Sequence, residues 1–231
     1  MRSDMVIQVE YLKNVPYFAG LSPDELESVR RLLVEKKAER GEIIFMDGEP
    51  ARALYLLVSG VVKIFKTSVS GKEQILTIVR PGESFNDISV FDNGITPASA
   101  EAMTPVEFYE IDKSVIDSLI YKYPQITRNV ISVLAARVRS LVNLVEDLSF
   151  RTVVGRVAKI LLDSAMEGKE AGSQQHPRLT QQEMAAIAGT AREVVGRSLK
   201  TLEDKGIIKL DRHRIIITDR EALKNFISTF L

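Results

Sequence analysis

The stretch from Leu179 to Lys200 constrains this 231-residue chain more than any other. Thr180 and Glu183 have the spacing of a capping box, in which the threonine oxygen accepts an N–H from three residues on and the glutamate returns the bond. A helix therefore starts just after Thr180. Met184, Ile187 and Ala188 recur at helical spacing and face inward. Gly189 can adopt the left-handed conformation that stops a helix. Thr190 and Glu193 offer a second capping box, and Val194, Val195, Leu199 and Leu202 give a second helix its apolar face. Gly206 follows the end of that helix. Ile207 to Leu210 and Arg214 to Thr218 then read as two strands joined by Asp211, Arg212 and His213. Two short helices followed by a β-hairpin make a winged helix-turn-helix.

The second helix carries Arg192, Glu193 and Arg197 near its start. A helix of this kind can enter the major groove of double-stranded DNA. The arginine fork matches the O6 and N7 acceptors of guanine, and a glutamate can accept from cytosine N4. Positions 193 and 197 lie one turn apart with 192 beside them, so all three can reach one half-site. The same charges could instead form a solvated face with a Glu193–Arg197 ion pair, or Glu193 could serve only as a cap.

The segment from Thr180 to Lys200 resembles the helix-turn-helix of the bacterial catabolite activator/FNR (CRP/FNR) regulators. Arg192 to Arg197 is similar to the recognition helix of that family. The resemblance implies that Arg192, Glu193 and Arg197 read a TGTGA-like half-site and that Thr180 and Gln182 touch phosphate. Thr190, Lys200 and His213 are further phosphate candidates, and RNA polymerase is an implied partner. The docking geometry is borrowed from the family rather than derived from these residues.

Formal net charge is zero, which conflicts with DNA binding until the halves are separated. Residues 151–231 carry 14 Lys and Arg against 10 Asp and Glu, and residues 1–150 carry 17 against 21. Positive charge thus lies where phosphates would be met. The absence of cysteine excludes a disulfide and a cysteine-ligated iron–sulfur cluster. The first residues lack the apolar core of about 7–15 residues that a signal peptide needs. The most apolar stretch, Leu54 to Val62, is too short to span a bilayer. A cytoplasmic protein without a membrane partner is expected.

Ser22-Pro23-Asp24-Glu25 starts a helix with Leu26, Val29, Leu32 and Leu33 inward. From Lys36 to Ile111 the texture changes to short β-rich runs at Ile43–Met46, Leu54–Val58, Val61–Phe65, Ile75–Val79 and Val106–Ile111. Turns at Gly41, Gly48, Gly60, Gly71, Gly82 and Gly94 separate them, as in a β-roll or sandwich. The glycine placement resembles the cyclic-nucleotide-binding roll of the same family. A long helix follows Pro124. Ile131, Val138 and Val145 fall at a, and Leu134, Leu141 and Leu148 at d, a pattern that favours a parallel two-stranded coiled coil. An amphipathic helix packed on its own domain is the plainer alternative, and the family's central helix is a dimer helix. A two-fold dimer would read a palindrome with half-sites one helical turn apart. Glu167 to Arg178 reads as a solvent loop. The expected fold class is α+β: a sensor β-roll with N-terminal helices over 1–123, a dimerisation helix and hinge over 124–150, and a winged helix-turn-helix over 151–231.

In the family, a short helix and loop after a glycine turn bind the ligand. Cyclic-AMP binders have roughly Gly-Glu-Leu, then eight residues, then Arg-Ser or Arg-Thr. Here the candidate pocket comprises Phe85, Asn86, Asp87, Ile88, Ser89, Pro97, Ala98 and Ser99, with Leu141 and Val142 from the long helix. Asn86-Asp87-Ile88 stands where Gly-Glu-Leu is expected, and Pro97-Ala98 where Arg-Ser is expected. A cyclic phosphodiester is anionic and suits a bidentate arginine. Pro97 offers neither charge nor an N–H. Leu141 and Val142 stand where the cyclic-AMP binder has hydroxyl residues.

The effector is therefore unknown: a small molecule other than cyclic AMP, or none. A cyclic-nucleotide- or haem/gas-responsive activator of the same family is the alternative. Haem is not favoured, because the only histidines are His176 and His213, and Met46 and Met103 read as core gap-fillers. His213 reads as a phosphate contact or surface residue rather than a metal ligand.

An enzyme on a cupin-like roll would need a histidine cluster, and residues 1–175 contain no histidine. No catalytic or metal-ligating residues are assigned. Asp87 and Glu83 read as surface or capping residues. A nucleotide-gated module that contacts only protein is the third class, and the Arg192–Arg197 segment argues against it.

Overall fold

The structure is a computed structural model, and it describes residues 9–170, 179–211 and 214–229. Helices α1 (Val9–Lys13) and α2 (Pro23–Arg30) precede a run of eight strands: β1 (Val34–Ala38), β2 (Ile43–Phe45), β3 (Ala53–Ser59), β4 (Val62–Thr67), β5 (Glu73–Val79), β6 (Ser84–Phe85), β7 (Ser99–Ala102) and β8 (Val106–Asp112). Helix α3 (Asp87–Asp92) lies between β6 and β7. Helices α4 (Lys113–Lys122), α5 (Pro124–Phe150), α6 (Val153–Glu170), α7 (Gln181–Ala188) and α8 (Arg192–Asp204) follow. The hairpin β9 (Ile208–Asp211) and β10 (Arg214–Ile217) and helix α9 (Arg220–Thr229) complete the order. Contacts group Met1–Lys66 with Leu76–Arg139 as one compact unit, and Thr67–Ile75 with Ser140–Leu231 as another.

The first unit is organised by β3, whose residues Ala53 to Leu57 are all buried. A strand exposes alternate residues to opposite faces, so an unbroken apolar run fits only where both faces are covered. Leu54 and Leu56 join a core with Leu12, Phe18, Leu26, Val29, Ile111, Ile126 and Val130. Tyr55 and Leu57 face the other way, into the roll with Phe45, Val62, Phe85, Ala100 and Phe108. Antiparallel pairing with β8 sets this register, placing Leu54 opposite Ile111 and Leu57 opposite Phe108. The two four-stranded sheets run β1-β8-β3-β6 and β2-β7-β4-β5.

Aromatic rings fill the roll. Tyr55 lies 5.1 Å from Phe85 and 5.7 Å from Phe45 between ring centres, and 5.5 Å from Phe108 edge-on. These separations lie in the favourable range for ring pairs. Burial pushes the Tyr55 phenol up to about 12.

The capping box at Ser22 forms: Glu25 N–H donates to Ser22 Oγ at 3.3 Å, and Ser22 N–H donates to Glu25 Oε2 at 2.7 Å. The helix ends at Arg30, so Leu32 falls outside its periodicity and is 43% exposed rather than inward. Three strands lay outside the sequence reading. β1 is largely charged, β6 has two residues, and β7 is Ser-Ala-Glu-Ala. α6 runs to Glu170, so residues 167–170 are helical and not loop. Met103 is buried as expected of a gap-filler, but Met46 is 48% exposed.

The second unit packs Val157, Ala158 and Leu161 of α6 against Met184 and Ala185 of α7, Val195, Leu199 and Leu202 of α8, and Leu223 of α9. Leu56→Ala should cost about 2–5 kcal/mol, the scale of a buried leucine lost from a core. Leu32→Ala should stay within about 0.5 kcal/mol. Denaturant midpoints of the two variants check both values.

Candidate functional site

The helix-turn-helix is built by its end groups. Glu183 N–H donates to Thr180 Oγ1 at 3.2 Å, and Thr180 N–H donates to Glu183 Oε2 at 2.6 Å. Gly189 caps α7 with φ +65°, and its N–H bonds Ala185 O. Arg156 Nε of α6 donates to Ala188 O at 2.8 Å, satisfying a carbonyl that has no partner inside the helix.

The second capping box does not form. Thr190 N–H also bonds Ala185 O, at 3.0 Å, so this threonine closes the turn after α7. Ala191 is the N-cap of α8 and gives no side-chain cap. Glu193 consequently sits in the first turn with its carboxylate free of a capping task.

α8 buries Val195, Ser198, Leu199 and Leu202 and turns Arg192, Glu193 and Arg197 to solvent. Among the described residues none of these three forms an ion pair within 4 Å, so the Glu193–Arg197 pair is not made here. Thr180 and Gln182 are exposed and Thr190 is half-buried. Lys200 Nζ lies 2.9 Å from Glu203 Oε2 and 3.3 Å from Asp204 Oδ1. Glu203 pushes the Lys200 amine above its ordinary value. Glu203 also accepts from Leu210 N–H at 2.8 Å, tying α8 to β9, and that bond holds its carboxyl below its ordinary value. His213 lies outside the described residues.

In the first unit, the candidate pocket residues sit on β6, α3 and the loop into β7. Asn86 takes φ +65°, a left-handed conformation that asparagine tolerates. Its Nδ2 donates to Ala53 O at 3.0 Å, and its Oδ1 accepts from Thr96 Oγ1 at 3.5 Å. Ser89 Oγ donates to Ile95 O at 3.1 Å. Phe85, Ser89, Ala98 and Ser99 are buried, whereas Ile88 and Pro97 are exposed. Ser99 Oγ accepts from Asp47 N–H at 3.0 Å.

Asp87 departs most from the sequence reading. It is 2% exposed, not a surface residue. Its Oδ2 accepts from Tyr17 OH at 2.7 Å and from Ser84 Oγ at 3.3 Å. Arg137 Nε of α5 lies 2.7 Å from the same oxygen. Arg137 Nη2 donates to Ser84 O at 2.5 Å and to Ser84 Oγ at 3.2 Å. Burial, and after it the nearby Asp87, push the Tyr17 phenol upward. Arg137 was missed because a lone arginine on a helix gives no local signal, and its partner is 50 residues away.

On α5, Ile131, Val138, Leu141, Val142, Val145 and Leu148 are 40–64% exposed, and Leu134 is partly buried against the first core. A cavity of about 270 Å³ in the second unit is lined by Asn143, Asp147, Arg156, Lys159, Asp163 and their neighbours. None of its lining residues belongs to the candidate pocket.

Two family models match the chain: a cyclic nucleotide-binding domain over residues 35–123 and a Crp-like helix-turn-helix domain over 155–226. The chain is 35% identical over 217 residues to the CRP-like cAMP-activated global transcriptional regulator of Mycobacterium tuberculosis, covering 93% of this chain and 97% of that protein. It is 34% identical over 213 residues to the cyclic AMP receptor protein of Thermus thermophilus, covering 92% and 97%. Among solved structures, the Thermus thermophilus catabolite activator protein is 30% identical with a TM-score of 0.54, over 94% of this chain and all of that one. The c-di-GMP responsive global regulator CLP of Xanthomonas campestris has a TM-score of 0.73 at 23% identity, over 85% and 99%, a likeness of fold. The Mycobacterium tuberculosis relative is a transcriptional regulator, not an enzyme.

Replacing Thr180 by alanine removes a formed cap and should cost about 1 kcal/mol. Thr190→Ala removes no cap and should cost clearly less. Thermal unfolding of the two variants side by side distinguishes them.

Proposed function

The chain belongs to the CRP/FNR family of DNA-binding transcription regulators, and from that premise we propose that it is a cytoplasmic homodimer reading a TGTGA-like palindrome. The observation that carries this reading is the trio Arg192, Glu193 and Arg197, exposed on α8 and without ion-pair partners among the described residues. An arginine pays little to meet a guanine edge when no salt bridge must first be broken. Arg192, Glu193 and Arg197 read bases. Thr180, Gln182, Thr190, Lys200 and His213 meet phosphate.

The dimer rests on α5. Val138, Leu141 and Val145 are exposed apolar residues at a and d spacing, and a matching helix would bury them. RNA polymerase is the partner for activation. No helix among the described residues is long and apolar enough to cross a membrane.

The effector pocket departs from the cyclic-AMP type. Pro97 stands where the cyclic-AMP binders carry an arginine, and Leu141 and Val142 where they carry hydroxyls. The regulator works without cyclic AMP, through another ligand or through none. Cyclic-AMP control, as the names of the two relatives describe for those proteins, is the competing reading.

Titration of a labelled TGTGA–TCACA palindrome beside a scrambled duplex, at one salt concentration with and without cyclic AMP, is the test. Tight specific binding that ignores cyclic AMP is expected, and binding only in its presence would overturn this reading of the pocket. Arg192→Ala should lose about 1–3 kcal/mol and relax preference at one guanine. Uniform weakening across sequences would make Arg192 a phosphate contact. Val138→Glu should place a charge in the seam and convert the dimer to monomer in sedimentation.

A further inference from the structure

We propose that Asp147 is a positioning residue for DNA reading: it bolts the end of α5 to α6 and so fixes the separation of the two recognition helices in a dimer. This rests on the reading of the chain as a dimer on a palindrome, and deepens it by naming the group that sets the half-site spacing.

Only Arg151 and Thr152 separate α5 from α6. Each residue of such a link keeps two soft torsions, and a turn about any of them would swing α6 as a whole. Asp147 removes that freedom from one helical turn back. Its Oδ1 lies 2.5 Å from Arg151 Nε in the link, and its Oδ2 pairs with Lys159 Nζ on α6. From Val153 to Lys159 the helix axis runs about 9 Å, so the carboxylate grips α6 well away from the pivot. The Asp147 and Arg151 side chains are 14% and 11% exposed, and partly buried charges are screened by salt much less than surface ones. Acid before base at i,i+4 is also the favourable order on a helix.

The link is fastened on its other sides too. Arg151 Nη1 donates to Ile227 O of α9 at 2.8 Å. Arg156 Nη1 donates to Arg151 O at 2.7 Å, while its Nε donates to Ala188 O of α7. Thr152 Oγ1 accepts from Gly155 N–H at 3.2 Å, at the start of α6. α6 and α7 in turn pack against Val195, Leu199 and Leu202 of α8. The direction of α5 therefore passes through Asp147, Arg151 and Arg156 into the position of α8. Leu141, Val145 and Leu148, in the seam of the proposed dimer, flank Asp147 in sequence, so two protomers joined there hold their α8 helices at one separation. An apolar corner could supply equal stability, but hydrogen-bonded charges add a fixed direction.

The test varies spacing rather than sequence. Full-length wild type, Asp147→Asn and Lys159→Gln are titrated with the TGTGA–TCACA palindrome, with the same palindrome lengthened by two central base pairs, and with a duplex holding one half-site. At about 10–10.5 base pairs per turn, the insertion rotates one half-site by about 70° and moves it about 7 Å. Wild type should favour the shorter spacer by at least about tenfold, because a misplaced helix forfeits its base contacts. Both variants should narrow that preference to about threefold or less, because a loosened link lets each recognition helix reach its half-site. Binding to the single half-site should stay within about twofold, because Arg192, Glu193 and Arg197 lie on the solvent face of α8. Trypsin gives a readout without DNA: both variants should be cut after Arg151 at least about tenfold faster than wild type, since cleavage follows local opening. An unchanged spacer preference in both variants overturns the proposal, as does unchanged cleavage after Arg151. Equal weakening on all three duplexes would make Asp147 a merely structural residue and overturns it too. If Asp147→Asn does not fold, Lys159→Gln decides alone. A wild type that binds the palindrome no better than a scrambled duplex overturns the palindrome reading itself and the spacing role with it, and the trypsin arm then shows separately whether Asp147 holds the link.

Discussion

The first unit depends on a strand with two apolar faces. β3 cannot be solvated on either side, so the chain must lay helices against one face and close a sheet over the other. Both cores then follow from one register. Leu54 and Leu56 recruit α2 and the first turns of α5, while Tyr55 and Leu57 recruit the rings of Phe45, Phe85 and Phe108. Interiors pack as densely as organic crystals, so the rings fill the roll in close contact.

Against that packing, the Asp87–Arg137 pair is a costly feature. Burying a carboxylate costs several kcal/mol per ion unless charge and donors meet it, and replacing such pairs by apolar groups is often neutral or stabilising. Stability alone therefore gives little reason to keep it. A role in fixing α5 to the cassette gives a better one, because the pair has a direction and a partner that an apolar contact lacks. Surface pairs such as Lys13–Glu10 and Lys224–Glu221 contribute little by comparison.

Much of this was legible in the sequence, and the exceptions share a cause. The capping boxes at Ser22 and Thr180, the glycine at 189 and the periodicity of α5 are local patterns, and local patterns survive into the structure. Thr190 failed because its N–H was needed by the preceding turn, a competition that spacing alone cannot reveal. β1 was missed because it is largely charged, and its Lys36 and Lys37 are paired across to Glu110 and Glu107 on β8 rather than buried. Asp87 was misplaced for the same reason on a longer scale: its burial is set by Tyr17 and Arg137, 70 and 50 positions away. Charge alone predicted a surface residue, and tertiary partners overrode it.

The proposed recognition helix, α8, shows the reverse economy of interactions. α8 is amphipathic, and its buried side is fixed by Val195, Leu199 and Leu202 while its first turn holds polar groups that the fold does not use. Groups already paired in the free protein must lose those partners before they can meet a base, and unpaired ones need only be desolvated. Lys200 is the contrasting case. Under the proposed phosphate role its two acidic neighbours would be exchanged for a phosphate, but an exposed ion pair is worth about 0–1 kcal/mol, so the exchange would cost little. On the proposed reading the base-reading positions are thus left without ion pairs among the described residues and Lys200 is held loosely, an arrangement that a helix serving only the stability of its own domain would not require.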